Sequence, residues 1–184
     1  MYQAFRTAGR EELRHSLAVA IVSLAIVAGL AVVACAGETN GSGLQIPRFV
    51  SLKSDKVNVR AGPTKDHDVT WVYTRTGLPV EITAEFENWR RIRDWEGAEG
   101  WVYHSLLSGR RTGMIATSAK ASEEPIPVHA SDSAQSAVVA RLQPGVLSAV
   151  KRCTGAWCRV SGAGYDGWVA QDRLWGVYPN EKVD

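Results

Sequence analysis

An internal repeat spans most of the chain and constrains its fold more than any other feature. Residues 49–109 are echoed by residues 114–176. Four matches lie 68 residues apart: Gly77 with Gly145, Ile82 with Val150, Trp89 with Trp157, and Ile92 with Val160. The run Gly100-Trp101-Val102 recurs 67 residues later as Gly167-Trp168-Val169, so a small gap falls in a loop. The repeat predicts two copies of one small domain, at residues 48–109 and 114–179.

Each copy has the sequence pattern of β-strands. Apolar residues alternate with polar ones or form short runs, as in Val57-Asn58-Val59 and Val80-Glu81-Ile82. Turn-forming pairs such as Gly62-Pro63 and Glu96-Gly97 separate these runs, and we expect about five short strands per copy. A sheet of roughly 60 residues buries its apolar face by curling into a barrel. The predicted fold class is therefore all-β, with two tandem small β-barrels that follow an N-terminal apolar helix.

The N-terminal segment predicts export. Residues 16–37 carry no charge, and Arg6, Arg10 and Arg14 precede them. Because basic residues stay on the cytoplasmic side, the rest of the chain is expected outside the cytoplasm. We assign residues 1–36 to a signal peptide or membrane anchor and residues 37–47 to a linker. Three outcomes are open: cleavage after Ala36, lipidation of Cys35 in a lipobox-like sequence, or retention as a transmembrane helix.

The charge of the exported part argues against nucleic acid as a partner. Lys and Arg number 21 and Asp and Glu number 19, and removing three Arg and two Glu of the N-terminal segment leaves 18 against 17. A nucleic-acid binder shows a concentrated basic face instead. We expect contact with a membrane only through the N-terminal segment.

The two remaining cysteines, Cys153 and Cys158, predict a disulfide that closes a hairpin. At an offset of 68 residues they align with Glu85 and Arg90 of the first copy, and in both copies these positions bracket a four-residue turn. Residues that bracket such a turn face each other across the hairpin, within the reach of a disulfide. We therefore expect a charge pair in one copy and a covalent bond in the other. Two free thiols are the alternative.

Three motifs of the first copy resemble the bacterial SH3-like (SH3b) domains of exported proteins. They are Val57-Asn58-Val59-Arg60-Ala61-Gly62-Pro63, Asn88-Trp89-Arg90-Arg91-Ile92 and Gly100-Trp101-Val102. The second copy lacks the first motif and has Ile126-Pro127-Val128-His129-Ala130-Ser131-Asp132 in its place. The resemblance implies SH3-like barrels that bind cell-wall peptides or protein partners. A ligand site built on the first motif is expected in the first copy.

No sequence motif for catalysis is present. The match Gly162-x-Gly164-x-x-Gly167 to a dinucleotide fingerprint leads into Trp168-Val169 and predicts a hairpin turn instead. A cysteine hydrolase needs a free thiol, whereas Cys153 and Cys158 are expected to be bonded to each other. We therefore predict a protein that is not an enzyme and that binds no cofactor and no metal.

Aromatic residues in the loops of the first copy are the candidate ligand contacts. Together with one arginine they are Trp71, Tyr73, Trp95, Tyr103 and Arg91. Trp95 has no aromatic counterpart in the second copy, so the shared core does not require it, although it could equally cap the end of the barrel. Because strand neighbours face opposite sides, at most two of Arg90, Arg91 and Arg93 share a face. The alternative for these arginines is a solvated strand face.

These features predict a non-catalytic, exported binding module of the bacterial cell envelope. The expected ligand is peptidoglycan, through its peptides or its glycan, and the expected location is the periplasm. The protein would be free there, lipidated, or anchored in the inner membrane. The alternative function is an adaptor that holds a segment of another envelope protein in the periplasm or at the membrane surface.

Overall fold

The computed structural model describes residues 41–115 and 124–184. The predicted signal peptide or anchor, including Cys35, lies outside the described residues. In the part that is described, no helix has the length and apolar character needed to cross a membrane. The described chain is built of β-strands with two short 3-10 helices, so the all-β prediction is confirmed there.

The strands of the first copy, in chain order, are β1 (Arg48–Leu52), β2 (Val57–Arg60), β3 (Val69–Tyr73), β4 (Pro79–Phe86), β5 (Trp89–Arg93), β6 (Glu99–Tyr103) and β7 (Leu107–Ser108). Those of the second copy are β8 (Thr112–Ile115), β9 (Ile126–His129), β10 (Val138–Leu142), β11 (Leu147–Thr154), β12 (Trp157–Gly162), β13 (Tyr165–Ala170), β14 (Leu174–Trp175) and β15 (Lys182–Val183). A 3-10 helix precedes the last short strand of each copy, at His104–Leu106 and at Gln171–Arg173.

The two copies share one sheet topology. The strand order is β3-β2-β6-β5-β4-β1-β7 in the first copy and β10-β9-β13-β12-β11-β8-β14 in the second. Each strand of the second sheet thus takes the place of the strand seven earlier in the chain, and β15 adds a further pairing to β11. Each path has seven strands instead of the expected five, partly because β7 and β14 are two residues long and too short for their alternation to be read.

Each sheet curls around its own apolar core. The first core is formed mainly by fully buried β-branched residues of β2, β4 and β5, such as Val59, Ile82 and Ile92. The second core contains their counterparts, including Val128 and Val160. Strand β8 contributes to both cores, because Met114 packs in the first and its neighbour Ile115 in the second. Because successive side chains of a β-strand point to opposite faces, β8 packs against both copies and joins them.

The shared Gly-Trp-Val motif is explained by a close approach between strands. A Cβ atom at Gly167 would lie 2.6 Å from the carbonyl oxygen of His129 and 2.7 Å from a methyl group of Val128. The equivalent atom at Gly100 would collide with Val59. Any side chain at these positions would push β6 away from β2, and β13 away from β9.

Further contacts between the copies are aromatic and polar. The ring of Phe49 lies 5.1 Å from that of Trp175 and 4.7 Å from that of Tyr178. The Tyr178 hydroxyl donates a hydrogen bond of 2.9 Å to the buried carboxylate of Glu81. Burial and this acceptor raise the pKa of Tyr178, so its hydroxyl remains protonated and able to donate. Both copies accordingly belong to one compact unit.

The predicted closures of the two hairpins are both confirmed. Cys153 and Cys158 form a disulfide across the turn between β11 and β12, with their Cα atoms 4.1 Å apart. Glu85 and Arg90 occupy the same register between β4 and β5, and their side chains form an ion pair of 3.1 Å. One hairpin geometry is therefore fastened covalently in one copy and electrostatically in the other.

Loss of the disulfide is expected to destabilise the protein modestly. The closed loop is short, so the double variant Cys153→Ala/Cys158→Ala should unfold with a free energy lower by about 2 kcal/mol. Urea unfolding with and without a reductant measures this difference. The reductant should weaken the wild type to a similar extent and leave the double variant unchanged. A wild type that is insensitive to full reduction would contradict the prediction.

Candidate functional site

One face of the first sheet carries an aromatic and basic surface. The cross-strand pairs on this face of β5 and β6 are Trp89 with Tyr103, Arg91 with Trp101, and Arg93 with Glu99. Their chain neighbours Ile92 and Val102 are fully buried and point to the core. The period of two in β5 and β6 therefore directs these polar and aromatic side chains outward.

A groove of about 320 Å³ opens on this face beside β2. In the register of the described strands, β2 pairs with β6 at Arg60 and Trp101. The lining of the groove consists of Asn58, Arg60, Lys65, Trp89, Tyr103, Ser105 and Leu106. The rings of Trp89 and Tyr103 meet edge to face with their centroids 5.5 Å apart, and both residues border the groove. We call this the first groove.

The first groove is cationic. Arg60 donates a hydrogen bond of 2.6 Å to the carbonyl oxygen of His67, which holds the guanidinium against the loop between β2 and β3. Among the described residues, neither Arg60 nor Lys65 forms an ion pair, and none of the lining residues is acidic. Two positive charges that lack a carboxylate partner, placed beside aromatic rings, suit a ligand that carries a carboxylate.

Two of the predicted site residues lie on the face of the first groove. Tyr103 lines the groove itself. Arg91 lies on the same face but forms an ion pair with Glu99, and Arg93 is paired with Glu81, so both charges are largely neutralised. Arg90 is buried and points to the opposite side. The expectation that alternation separates these three arginines is thus in agreement with the structure.

The other three predicted site residues form a separate cluster. Trp71, Tyr73 and Trp95 pack against the first core, with Tyr73 in the middle at ring distances of 6.1 Å and 6.4 Å from the two tryptophans. Tyr73 is only 8% exposed, and its hydroxyl donates to Asp94 over 2.7 Å. Burial and that carboxylate raise the pKa of Tyr73. The packing of Trp95 against the first core, near Tyr73, is the arrangement expected if Trp95 caps the end of the barrel.

Of the seven residues that line the first groove, only Tyr103 was predicted as a site residue, and the most consequential of the missed ones are Trp89, Arg60 and Lys65. Trp89 was noted only as a repeat match and as part of a motif, and although it is 8% exposed, it lines the groove. Arg60 was noted only as part of a motif, and Lys65 was not singled out. The available signal was the outward position of Arg60, which follows the inward Val59 in β2.

The described residues contain no group of three or more His, Cys, Asp or Glu side chains that could hold a metal ion.

The fold and the first groove define a tandem of small SH3-like β-domains. The family model of the bacterial SH3 domain matches residues 53–109 and 123–176. Because these matches cover more than half of the chain, the protein belongs to the bacterial SH3 domain family.

Two solved structures from Trichomonas vaginalis are similar to parts of the chain. NlpC2 aligns with a TM-score of 0.31 and 14% identity, over 72% of this chain and 49% of that protein. NlpC1 aligns with a TM-score of 0.30 and 14% identity, over 71% of this chain and 46% of that protein. The chain thus spans about half the length of the two structures. No match to a curated protein was found.

Proposed function

We propose that the protein is an exported, non-catalytic module of the bacterial cell envelope that binds the peptide part of peptidoglycan in the first groove. The observation that carries this proposal is the pair of cations without carboxylate partners, Arg60 and Lys65, beside the rings of Trp89 and Tyr103. Wall peptides carry free carboxylates on short aliphatic side chains. The cations would bind the carboxylates, and the rings would pack on the aliphatic carbons.

The physical character of the first groove supports binding over catalysis. Among the side chains that line it, none is a thiol, an imidazole or a carboxylate, so the lining places no imidazole or carboxylate base beside the Ser105 hydroxyl. Cys153 and Cys158 are joined in a disulfide elsewhere in the chain. The N-terminal apolar segment supports export, and export would bring the groove to the cell wall.

A second candidate function is an adaptor that holds a segment of another envelope protein. One specific observation favours it: β3 and β10 each end their sheet's strand order, and both expose valines. Val69 and Val72 are 40% and 39% exposed, and Val138 and Val139 are 45% and 51% exposed. An extended segment of a partner could add to such an edge through main-chain hydrogen bonds.

Co-sedimentation with purified sacculi tests the proposed function. The double variant Arg60→Gln/Lys65→Gln should bind at least about tenfold more weakly, because each charge-assisted hydrogen bond contributes on the order of 1.5–3 kcal/mol. The matched control is Lys53→Gln/Lys56→Gln, which removes the same charge from residues that do not line the groove. This control should bind like the wild type.

Two results would overturn the proposed function. If both double variants lost binding equally, the interaction would reflect net charge and not the first groove. If the wild type failed to sediment with sacculi, the wall would not be its ligand. Cross-linking of that wild type in cells to one dominant envelope protein would then establish the adaptor function instead.

A further inference from the structure

The second copy has a groove at the position equivalent to the first groove. Trp168 pairs with His129 as Trp101 pairs with Arg60, and Trp157 faces Ala170 as Trp89 faces Tyr103. This second groove measures about 560 Å³. Its lining consists of Glu124, Pro125, Ile126, Pro127, His129, Ala134, Arg141, Trp157, Ala170 and Arg173.

Two replacements by alanine explain the greater volume of the second groove. Ala170 stands where the first copy has Tyr103. Ala134 follows His129 by five residues, just as Lys65 follows Arg60. Without these two long side chains there is more space beside the tryptophan that both copies share, which agrees with a volume of about 560 Å³ against about 320 Å³.

The second copy also lacks both cations of the first groove. His129 takes the place of Arg60 and is part of the packed fold, because the residue is only 6% exposed. Its Nδ1 lies 3.1 Å from the carbonyl oxygen of Ser136, and its ring centroid lies 5.4 Å from that of Trp157. Ala134 takes the place of Lys65. If the repeat alone determined the chemistry, the second groove would have lost its positive charge.

Two other arginines restore the positive charge. Arg141 lies opposite Pro127 in the register, where the first copy has Val72 opposite Asn58. Arg173 ends the second 3-10 helix, where the first copy has Leu106. Within the described residues Arg141 forms no ion pair, and Arg173 makes a loose contact of 3.8 Å with Asp172, whose side chain is 76% exposed. Glu124 is the one acidic residue in the lining.

We infer that the second groove is a second binding site for a carboxylate-bearing wall peptide. Each groove combines a tryptophan with two arginine or lysine side chains, although the two grooves share no cationic position. Retention of the charge pair at changed positions indicates a requirement of the ligand and not of the fold, because neither Arg141 nor Arg173 is buried. The inference rests on the proposed function and extends it from one site to two.

Two sites on one compact unit make the protein bivalent toward a polymer. Peptidoglycan repeats the same peptide along its glycan strands. A protein molecule bound through one groove therefore meets a second peptide at high effective concentration. A second, intramolecular binding event of this kind raises apparent affinity by about 100-fold or more without any new type of contact. A soluble peptide that carries a single copy of the group gains nothing from the second site.

Four proteins and two probes test the inference. The proteins are the wild type, the first-groove variant Arg60→Gln/Lys65→Gln, the second-groove variant Arg141→Gln/Arg173→Gln, and the combination of all four substitutions. The probes are intact sacculi and the monomeric muropeptides that a muramidase releases from them. Calorimetry with muropeptides should give two sites in the wild type and one in each double variant. On sacculi, each double variant should bind about 100-fold more weakly.

The outcomes separate the inference from the proposed function. One muropeptide site in the wild type, with unchanged binding by the second-groove variant, would overturn the inference and leave the first groove intact. Absence of binding by all four proteins would overturn both. The substitution Glu124→Gln gives an independent check, because removal of the acidic residue should preserve or strengthen binding of a carboxylate. A loss of affinity greater than about tenfold in Glu124→Gln would show that the second groove takes a cationic group instead.

Discussion

Replacing Glu85 with alanine is expected to lower the free energy of unfolding by about 3 kcal/mol. The Glu85 side chain is 2% exposed, and it forms ion pairs with Arg48, at 2.6 Å, and with Arg90. It also accepts hydrogen bonds from the backbone N–H and the hydroxyl of Ser42. Alanine would leave two poorly solvated guanidinium groups without a carboxylate. Urea unfolding of the purified protein measures the loss.

The matched control is Glu99→Ala in the same sheet. It also removes the carboxylate of a Glu–Arg pair, but the side chains of Arg91 and Glu99 are 48% and 32% exposed. Such exposed pairs contribute less than about 1 kcal/mol, so Glu99→Ala should lie close to the wild type. Equal losses in the two variants would show that Glu85 acts as an ordinary surface charge and that its burial is unimportant.

The pH dependence of stability provides a second measurement on Glu85. Burial alone would raise the pKa of Glu85, but the hydrogen bonds from Arg48 and Ser42 outweigh it and hold the pKa below its ordinary value of 4.5. A carboxyl group with a lowered pKa stabilises the fold above its ordinary pKa, and that stabilisation disappears as the pH falls through the lowered value. The variant Glu85→Gln should therefore lose less stability than the wild type on acidification below about pH 4.5.

The hairpin around Glu85 was predictable because both of its determinants are local. The repeat aligned Glu85 and Arg90 with Cys153 and Cys158, and a four-residue turn fixes which residues face each other. Two different chemistries at equivalent positions indicated one geometry. The additional partners Arg48 and Ser42 were not predictable, because they come from a neighbouring strand and from the linker.

The first groove was only partly predictable for the same reason. Tyr103 could be proposed because it was expected in a loop, although it is the last residue of β6. The groove is formed where β2 meets β6, and no local pattern gives that register. Trp71 and Tyr73 were proposed because they follow a polar loop. In β3, however, the register places them opposite Val59 and Val57, and that pairing turns their rings toward the core. The sheet register decided which aromatic residues border the first groove.

The joint between the two copies, at strand β8, could not be predicted from the repeat. All four residues of β8, Thr-Gly-Met-Ile, are buried, so the strand shows no alternation of buried and exposed positions. The reason is that Met114 and Ile115 enter different cores. The C-terminal segment completes this joint: Trp175 donates to the carbonyl oxygen of Pro79 over 3.3 Å, and Arg111 donates to that of Gly176 over 2.9 Å.

Gly176→Ala should therefore destabilise both copies together, by about 3 kcal/mol or more. Gly176 has a φ of 112°, which a residue with a side chain rarely adopts. A Cβ atom there would collide with the carbonyl oxygen of Thr112 and would lie 3.0 Å from the Cβ of Pro79 in the first copy. Backbone and proline atoms cannot move aside cheaply, so the collision adds to the conformational strain.

Gly145→Ala separates the strain from the collision. Gly145 has a φ of 79°, but a Cβ atom there would meet nothing within 4 Å. Its substitution should cost about 1 kcal/mol, which is the strain alone. Because Gly176 contacts β4 and β8, its alanine variant should still unfold in one transition at lower urea concentration. Two separate transitions, with only the second copy weakened, would show that the copies fold independently and that the contacts between them contribute little to stability.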